Sequence, residues 1–294
     1  MLLVALLYAI LASTFIFAKQ ALMYAKPFFL IGFRMTVAGC LLLSFACLRR
    51  HFVIRREDWW LFFRVALFHI YFSFILEFWA LQYLSALKTT LIYSTTPFIA
   101  ALLSYLLLKE RLGRGKAVGV AVGLCGMVPI FMLGGGNAHE LLNITLPDVV
   151  LFGAVISGAY AWFLVKQLMH KGYSLAVING VAMLIGGILS FGTSMLLESA
   201  PYVYNWPKFL LWVACLIVVA NVVVYNFYGW LLHRYTITFL TFAGFLCPSF
   251  GMLYDWLLLG GQLKVHYLIS IVLVTIGLYI FYRKELFAHK QRLG

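Results

Sequence analysis

Arg34, His69, Glu77 and Asp255 lie well inside long apolar runs of this chain. A charge in hydrocarbon costs roughly 2.5–3.5 kcal/mol on insertion scales, so such groups are retained for a task or for one another. Arg34 stands seven residues into its run, about 10 Å deep, and Glu77 and Asp255 lie at similar depth from the same side. With two carboxylates and one guanidinium at that level, one carboxylate is available to a cationic group on a solute or to a proton. Phe74, Phe78 and Trp256 could add cation–π attraction of roughly 0.5–2 kcal/mol. An Arg34–Glu77 pair serves either as a structural ion pair or as part of a substrate or proton site. His69, Ser73 and Glu77 follow at i, i+4 and i+8, one helical stripe. A histidine beside a carboxylate suits proton coupling, and a hydrogen-bonded packing role fits the same position. Arg64 reads as snorkelling to the surface, and Glu198 as interfacial.

Uncharged polar residues extend this set. Thr90 and Tyr93 precede Pro97, Ala100 and Ser104 at 3-4-3-4 spacing, and Thr241 and Gly244 precede Pro248, Gly251 and Asp255 in the same way. Each row would occupy one face of a helix. Asn221, Tyr225 and Tyr228 share another face, and Ser157 and Tyr160 a third, with Trp162 nearby. Buried amides and phenols need partners, which a solute-filled cavity supplies. The candidate solute contacts are therefore Thr90, Tyr93, Thr241, Asp255, Glu77, Tyr160, Asn221 and Tyr225. Arg34, Glu77 and His69 are the candidates for coupling or ion pairing, and Pro97 and Pro248 for bends. Proline frees the carbonyl four residues back, so Tyr93 and Gly244 would offer acceptors there. No HExxH, G-x-S-x-G, Walker loop or metal-ligand spacing occurs, and Gly134–Gly136 is not followed by Lys-Ser/Thr. The expectation is a protein without catalytic residues, metal or cofactor, driven by a gradient or by exchange.

The elements that hold these residues are membrane helices. Hydrophobic residues make up 64% of 294 positions and charged residues 11%, against about half and a quarter in soluble domains. Ten apolar runs of spanning length fall near 2–18, 27–48, 59–82, 87–108, 116–133, 148–166, 174–198, 208–232, 236–259 and 265–283. The first lacks a basic n-region and a small-residue cleavage site, so it reads as a retained helix. Alternate loops and the C-terminal tail carry 15 Lys/Arg on one side, and the other side carries five. That asymmetry puts both termini in the cytoplasm of a multi-pass protein of the inner or plasma membrane. It also accounts for the net charge of +13 without a nucleic-acid partner. The implied partners are the lipid bilayer and a small-molecule substrate, for a monomer or a homodimer. Five cysteines, all within the runs, show no disulfide or metal pattern. Asn143-Ile-Thr145 is a formal glycosylation sequon.

The two proline rows belong to an internal duplication. PFIAALLSYLLLKERL overlies PSFGMLYDWLLLGGQL without a gap at an offset of 151, with six of sixteen residues identical. Lys19-Gln20 and Lys166-Gln167 repeat at an offset of 147, and Ile130-Phe131 and Ile280-Phe281 at 150. Two halves of five helices each must insert in opposite orientations. The expected architecture is an all-α integral membrane protein of ten transmembrane helices in two inverted five-helix repeats. The repeats cover residues 1–133 and 148–283, the connecting loop 134–147, and a basic cytoplasmic tail 284–294. Inverted repeats point to alternating access by a secondary transporter. Gly115, Gly119, Gly123 and Gly126 form a small-residue face, read as packing inside the bundle.

These residues resemble the EamA family of the drug/metabolite transporter superfamily, over essentially the whole chain. The most specific piece is Thr95-Thr96-Pro97 followed by a leucine run to Lys109-Glu110-Arg111. Pro248 through Leu257-Leu258-Leu259 matches it in the second half, with Gly261 and Gln262 where the family has an acidic residue. Tyr8, Ala12, Ser13 and Lys19 echo the family's first helix, and Arg34 in GFRMTVAG its second. The resemblance implies a proton-coupled or exchanging carrier of a small polar metabolite. Together with the acidic groups it favours an amino-acid-like, cationic or nucleoside-containing solute such as S-adenosylmethionine. The alternatives are a carrier of nucleotide sugars or sugar phosphates, and a membrane-embedded enzyme acting on lipid.

Overall fold

The computed structural model describes residues 2–49, 54–84, 86–109, 113–133, 144–259 and 265–293. Helices dominate: α1 (Leu2–Leu22), α2 (Pro27–Leu48), α3 (Trp59–Val65), α4 (Phe72–Ala80), α5 (Ala86–Tyr93), α6 (Thr96–Leu108), α7 (Arg114–Leu133), α8 (Leu146–His170) and α9 (Leu175–Leu197). They continue with α10 (Trp206–Leu216), α11 (Tyr225–Leu231), α12 (Ile237–Ala243), α13 (Leu246–Leu259) and α14 (Val265–Leu293). Wider π turns, Ala66–Tyr71 and Ile217–Val224, join α3 to α4 and α10 to α11. Among the described residues, six helices are long and apolar enough to cross a membrane: α1, α2, α8, α9 and the composite helices Arg56–Ala80 and Trp206–Leu231. Every apolar run read from the sequence falls on helix, and α14 continues to Leu293, through the segment read as a tail.

Local chemistry sets the helix ends. Pro27 opens α2 after extended Lys26. The Glu198 carboxylate then accepts the first free amides, Phe28 N at 2.8 Å and Phe29 N at 2.9 Å, along with the Ser194 hydroxyl at 2.6 Å. A carboxylate is favourable at that positive end of the helix. Ser174, Asn205 and Thr236 cap α9, α10 and α12 through their side chains. Gly172, at φ +89°, turns the chain out of α8.

Two compact units emerge, each drawing on both halves of the chain. One holds residues 1–12, 84–148 and 235–294, the other residues 13–83 and 149–234. In the first unit α7 packs on α14, and α6 on α12. Gly119 and Gly277 face each other so closely that a Cβ on either would fall within 3.0 Å of the other helix's backbone. The expected intrabundle role of the 115–126 glycines is thus met at Gly119, Gly123 and Gly126. In the second unit α2 packs along α9 through Gly32, Gly39, Gly180 and Gly187, and the turn Ala66–Tyr71 lies against α9.

The two proline-bearing runs are not continuous helices. The chain breaks at Ser94–Thr95 and again at Gly244–Phe245. The expected single faces are therefore divided: Thr90 and Tyr93 lie on α5 and Pro97 on α6, while Thr241 lies on α12 and Pro248 on α13. Proline lacks the amide that would continue the ladder and clashes with the carbonyl one turn back. The acceptors expected to be open are in use. Tyr93 O takes the Thr96 hydroxyl at 2.5 Å, and Gly244 O takes Cys247 N at 2.9 Å.

Candidate functional site

The second unit gathers six of the residues singled out by sequence: Arg34 on α2, His69 on the first π turn, Glu77 on α4, Tyr160 on α8, Asn221 on the second π turn and Tyr225 on α11. The two π turns begin 151 positions apart, at Ala66 and Ile217, the offset of the proline rows. A π turn loosens the regular ladder and is frequent at functional sites. Here it leaves Phe68 O to accept two hydroxyls, Ser73 Oγ at 2.6 Å and Ser157 Oγ at 2.8 Å. The expected polar stripe His69–Ser73–Glu77 is altered accordingly, because the Ser73 hydroxyl is turned onto its own backbone.

Tyr225 is the hub. Its ring lies 5.1 Å from the His69 ring, edge-on, and 6.2 Å from Trp162. The His69 ring is also edge-on to Trp162 at 4.5 Å, and Trp162 stacks on Tyr228 at 4.0 Å. Both Glu77 and Tyr225 lie within electrostatic range of the Arg34 guanidinium. The guanidinium carbon sits 5.0 Å from the centre of the Phe74 ring. The result is a buried guanidinium with the partly buried Glu77 within electrostatic range, lined on one side by Phe74 and continued through Tyr225 into an aromatic box around His69. Arg34 and His69 are each only 4% exposed. The Arg34 Nε–H and His69 Nε2 are buried with no hydrogen-bond partner, an arrangement that needs an explanation in a folded protein.

Two side chains find partners that their spacing did not suggest. Arg64 does not run out to the surface; its guanidinium donates to the Tyr160 hydroxyl, 5.7 Å above the same ring. A half-buried guanidinium gains more from a phenol acceptor and a ring face than from extending alone. Asn221, fully buried, donates from Nδ2 towards the thioethers of Met35, at 3.0 Å, and Met183, at 3.7 Å, while its Oδ1 has no partner. Sequence reasoning missed both methionines, whose only signal was that Met35 adjoins Arg34.

The remaining candidates belong to the first unit. The Thr241 hydroxyl is bonded to Ile237 O and Thr238 O of its own helix, both at 3.0 Å, and Tyr93 is 37% exposed. The side chains of Thr90 and Asp255 lie outside the described residues. That unit also contains an ion pair the sequence did not suggest. Lys88 is buried on α5 and donates to Asp148 at 2.7 Å. Thr145 N and Oγ1 support the same carboxylate oxygen, each at 2.6 Å. An ammonium removed from water requires such a partner. Among the described residues no group of three or more His, Cys, Asp or Glu could hold a metal ion.

Comparison with known proteins extends this picture. The sequence profile of the EamA-like transporter family matches residues 1–132 and 145–283. A protein of Chlamydia muridarum named as an S-adenosylmethionine/S-adenosylhomocysteine transporter is 31% identical over 93% of this chain and 88% of its own length. A transporter of the same name from Chlamydia trachomatis serovar L2 is 31% identical over 93% of this chain and 86% of its own. An uncharacterized transporter of Bacillus subtilis is 25% identical over 76% of this chain and 67% of its own. One solved crystal structure superposes with a TM-score of 0.76 over 95% of this chain and 94% of its own, at 18% identity, a likeness of fold.

Proposed function

Starting from this chain's membership of the EamA-like transporter family, which makes it a multi-pass membrane transporter and not an enzyme, we propose that it carries S-adenosylmethionine and S-adenosylhomocysteine. The observation that carries the reading is the buried Arg34 guanidinium, with the partly buried Glu77 in electrostatic range, set against Phe74 and the aromatic box of Tyr225, Trp162 and Tyr228. S-adenosylmethionine joins a zwitterionic amino-acid head, a sulfonium cation and a flat purine. Glu77 and the ring faces suit the cationic centres, and aromatic side chains suit the purine. The relatives' names point to the same solute.

In this reading Glu77, Tyr160, Asn221 and Tyr225 contact the solute, with Arg34 and His69 beside them. Thr90, Tyr93, Thr241 and Asp255 are proposed as further solute contacts, and Pro97 and Pro248 as bends. The chain spans the membrane ten times as two inverted repeats with both termini cytoplasmic, supported by the 15-to-five distribution of cations. Alternating access then exchanges one solute for the other or couples uptake to a proton gradient.

Proteoliposomes preloaded with unlabelled S-adenosylhomocysteine should accumulate radiolabelled S-adenosylmethionine transiently, as counterflow, with no imposed gradient. Absence of counterflow and of gradient-driven uptake for both compounds, in protein that exchanges another solute, refutes the substrate. Reporter fusions at residue 140 and at the C terminus test the topology, and a cytoplasmic signal at residue 140 refutes it.

A further inference from the structure

We infer that Arg34 is the residue that reads the carboxylate of the transported solute, and that carriage depends on that carboxylate being present. The inference rests on the reading of this chain as a carrier of an amino-acid-type solute, and assigns one part of the solute to one side chain. Arg34 lies on α2 between Gly32 and Thr36, a segment held close against α9, so its backbone position is tightly defined. Arg34 as a whole is 4% exposed, with the Phe74 ring 5.0 Å from its guanidinium and Glu77 within electrostatic range. Guanidinium carries five N–H donors in a planar fork and stays charged at every accessible pH. Glu77, within electrostatic range, offsets part of the charge, and the Nε–H is left without an acceptor.

That vacant donor is one prong of the geometry that binds a carboxylate side-on through two parallel N–H···O bonds. A lysine at this position could not reproduce it. The neighbouring groups agree with a zwitterion. Arg34 and Glu77 carry opposite charges, so an amino-acid head with its carboxylate facing Arg34 and its ammonium facing Glu77 adds no net charge beside them, and the sulfonium of S-adenosylmethionine is met separately by the ring faces. A proton-relay role is unavailable to Arg34, because it does not release its proton.

The test uses paired solutes that differ only in the carboxylate. S-adenosylmethionine is paired with its decarboxylated analogue, and each of several neutral amino acids with its corresponding amine, as substrates or competitors in proteoliposomes. Wild-type protein should prefer the carboxylate member by about 10- to 150-fold, the range for hydrogen bonds to a charged group. Arg34→Gln should compress that ratio to within about threefold, and Arg34→Lys should restore it only in part. Equal handling of both members by wild type overturns the inference with no variant needed. A ratio unchanged in Arg34→Gln overturns it as well, since the carboxylate is then read elsewhere. If S-adenosylmethionine is not carried but amino acids are, the proposed substrate falls and Arg34 is judged on the amino-acid pairs. Transport only of solutes lacking a carboxylate overturns the inference.

Discussion

Gly187→Ala and Gly192→Ala make the same chemical change on the same helix, and the structure expects opposite outcomes. A Cβ built at Gly187 would lie 2.6 Å from Thr36 N and 3.1 Å from Gly32 O, while one at Gly192 meets nothing within 4 Å. Ordinary contact begins near 3.4 Å, so α2 and α9 would have to separate by about 0.8 Å at Gly187, the difference between 3.4 and 2.6 Å. Overpacking of a close contact typically costs about 1–3 kcal/mol. Replacing a helical glycine by alanine returns roughly 0.5–1 kcal/mol through backbone entropy. Gly187→Ala should therefore lose about 1–2 kcal/mol net, and Gly192→Ala should gain up to about 1 kcal/mol. Because Arg34 rides on α2 beside this contact, Gly187→Ala should also depress uptake, whereas Gly192→Ala should leave it unchanged. The assay is the thermal midpoint of the purified protein in detergent, from the monodisperse fraction surviving a heating series, followed by proteoliposome uptake. A midpoint for Gly187→Ala equal to or above that of Gly192→Ala would show that the interhelix contact is not as close as described, and the reasoning would fail.

Other outcomes follow from single interactions. Lys88→Met leaves the Asp148 carboxylate buried without its ion partner and should cost about 3 kcal/mol, the low end for a broken buried pair because Thr145 still donates to it. The double change Lys88→Met/Asp148→Leu should recover most of that loss in the same melting assay, and a further loss would count against the pair. Glu198→Gln weakens three hydrogen bonds to Phe28 N, Phe29 N and Ser194 and should lower stability by about 1–2 kcal/mol; no change in midpoint would mean that the cap contributes nothing. Lys171 hydrogen-bonds the Asp58 carboxylate, which raises its pKa above 10.5. That interaction is fully present below the unfolded value and is lost only as pH rises past the raised one. The destabilisation caused by Lys171→Met should accordingly be constant from about pH 6 to 9, and a cost that fades within that window would refute the assignment.

How much of this protein its sequence determined can be traced residue by residue. The helical positions followed from runs of apolar residues, because a chain in lipid must satisfy its backbone within each segment and only helix does so locally. The small-residue stripes were legible for the same reason: Gly119 and Gly123 share a face by spacing alone. Arg34, Glu77 and His69 stood out because a charge or imidazole in an apolar run is costly enough to need a purpose. What the spacing could not supply was the partner. Arg64 meets Tyr160 across 96 positions, Lys88 meets Asp148 across 60, and Asn221 meets Met35 across 186. The breaks before Pro97 and Pro248, and the π turns that redirect Ser73 and bring His69 against Tyr225 and Trp162, also appeared only in the folded chain. Periodicity describes a regular helix, and a turn widened by one residue rotates everything beyond it. The choice of which donors remain unmet at Arg34 and His69 belongs to tertiary structure as well, because satisfaction of a buried group depends on atoms brought from distant segments, and the sequence orders those segments without placing them.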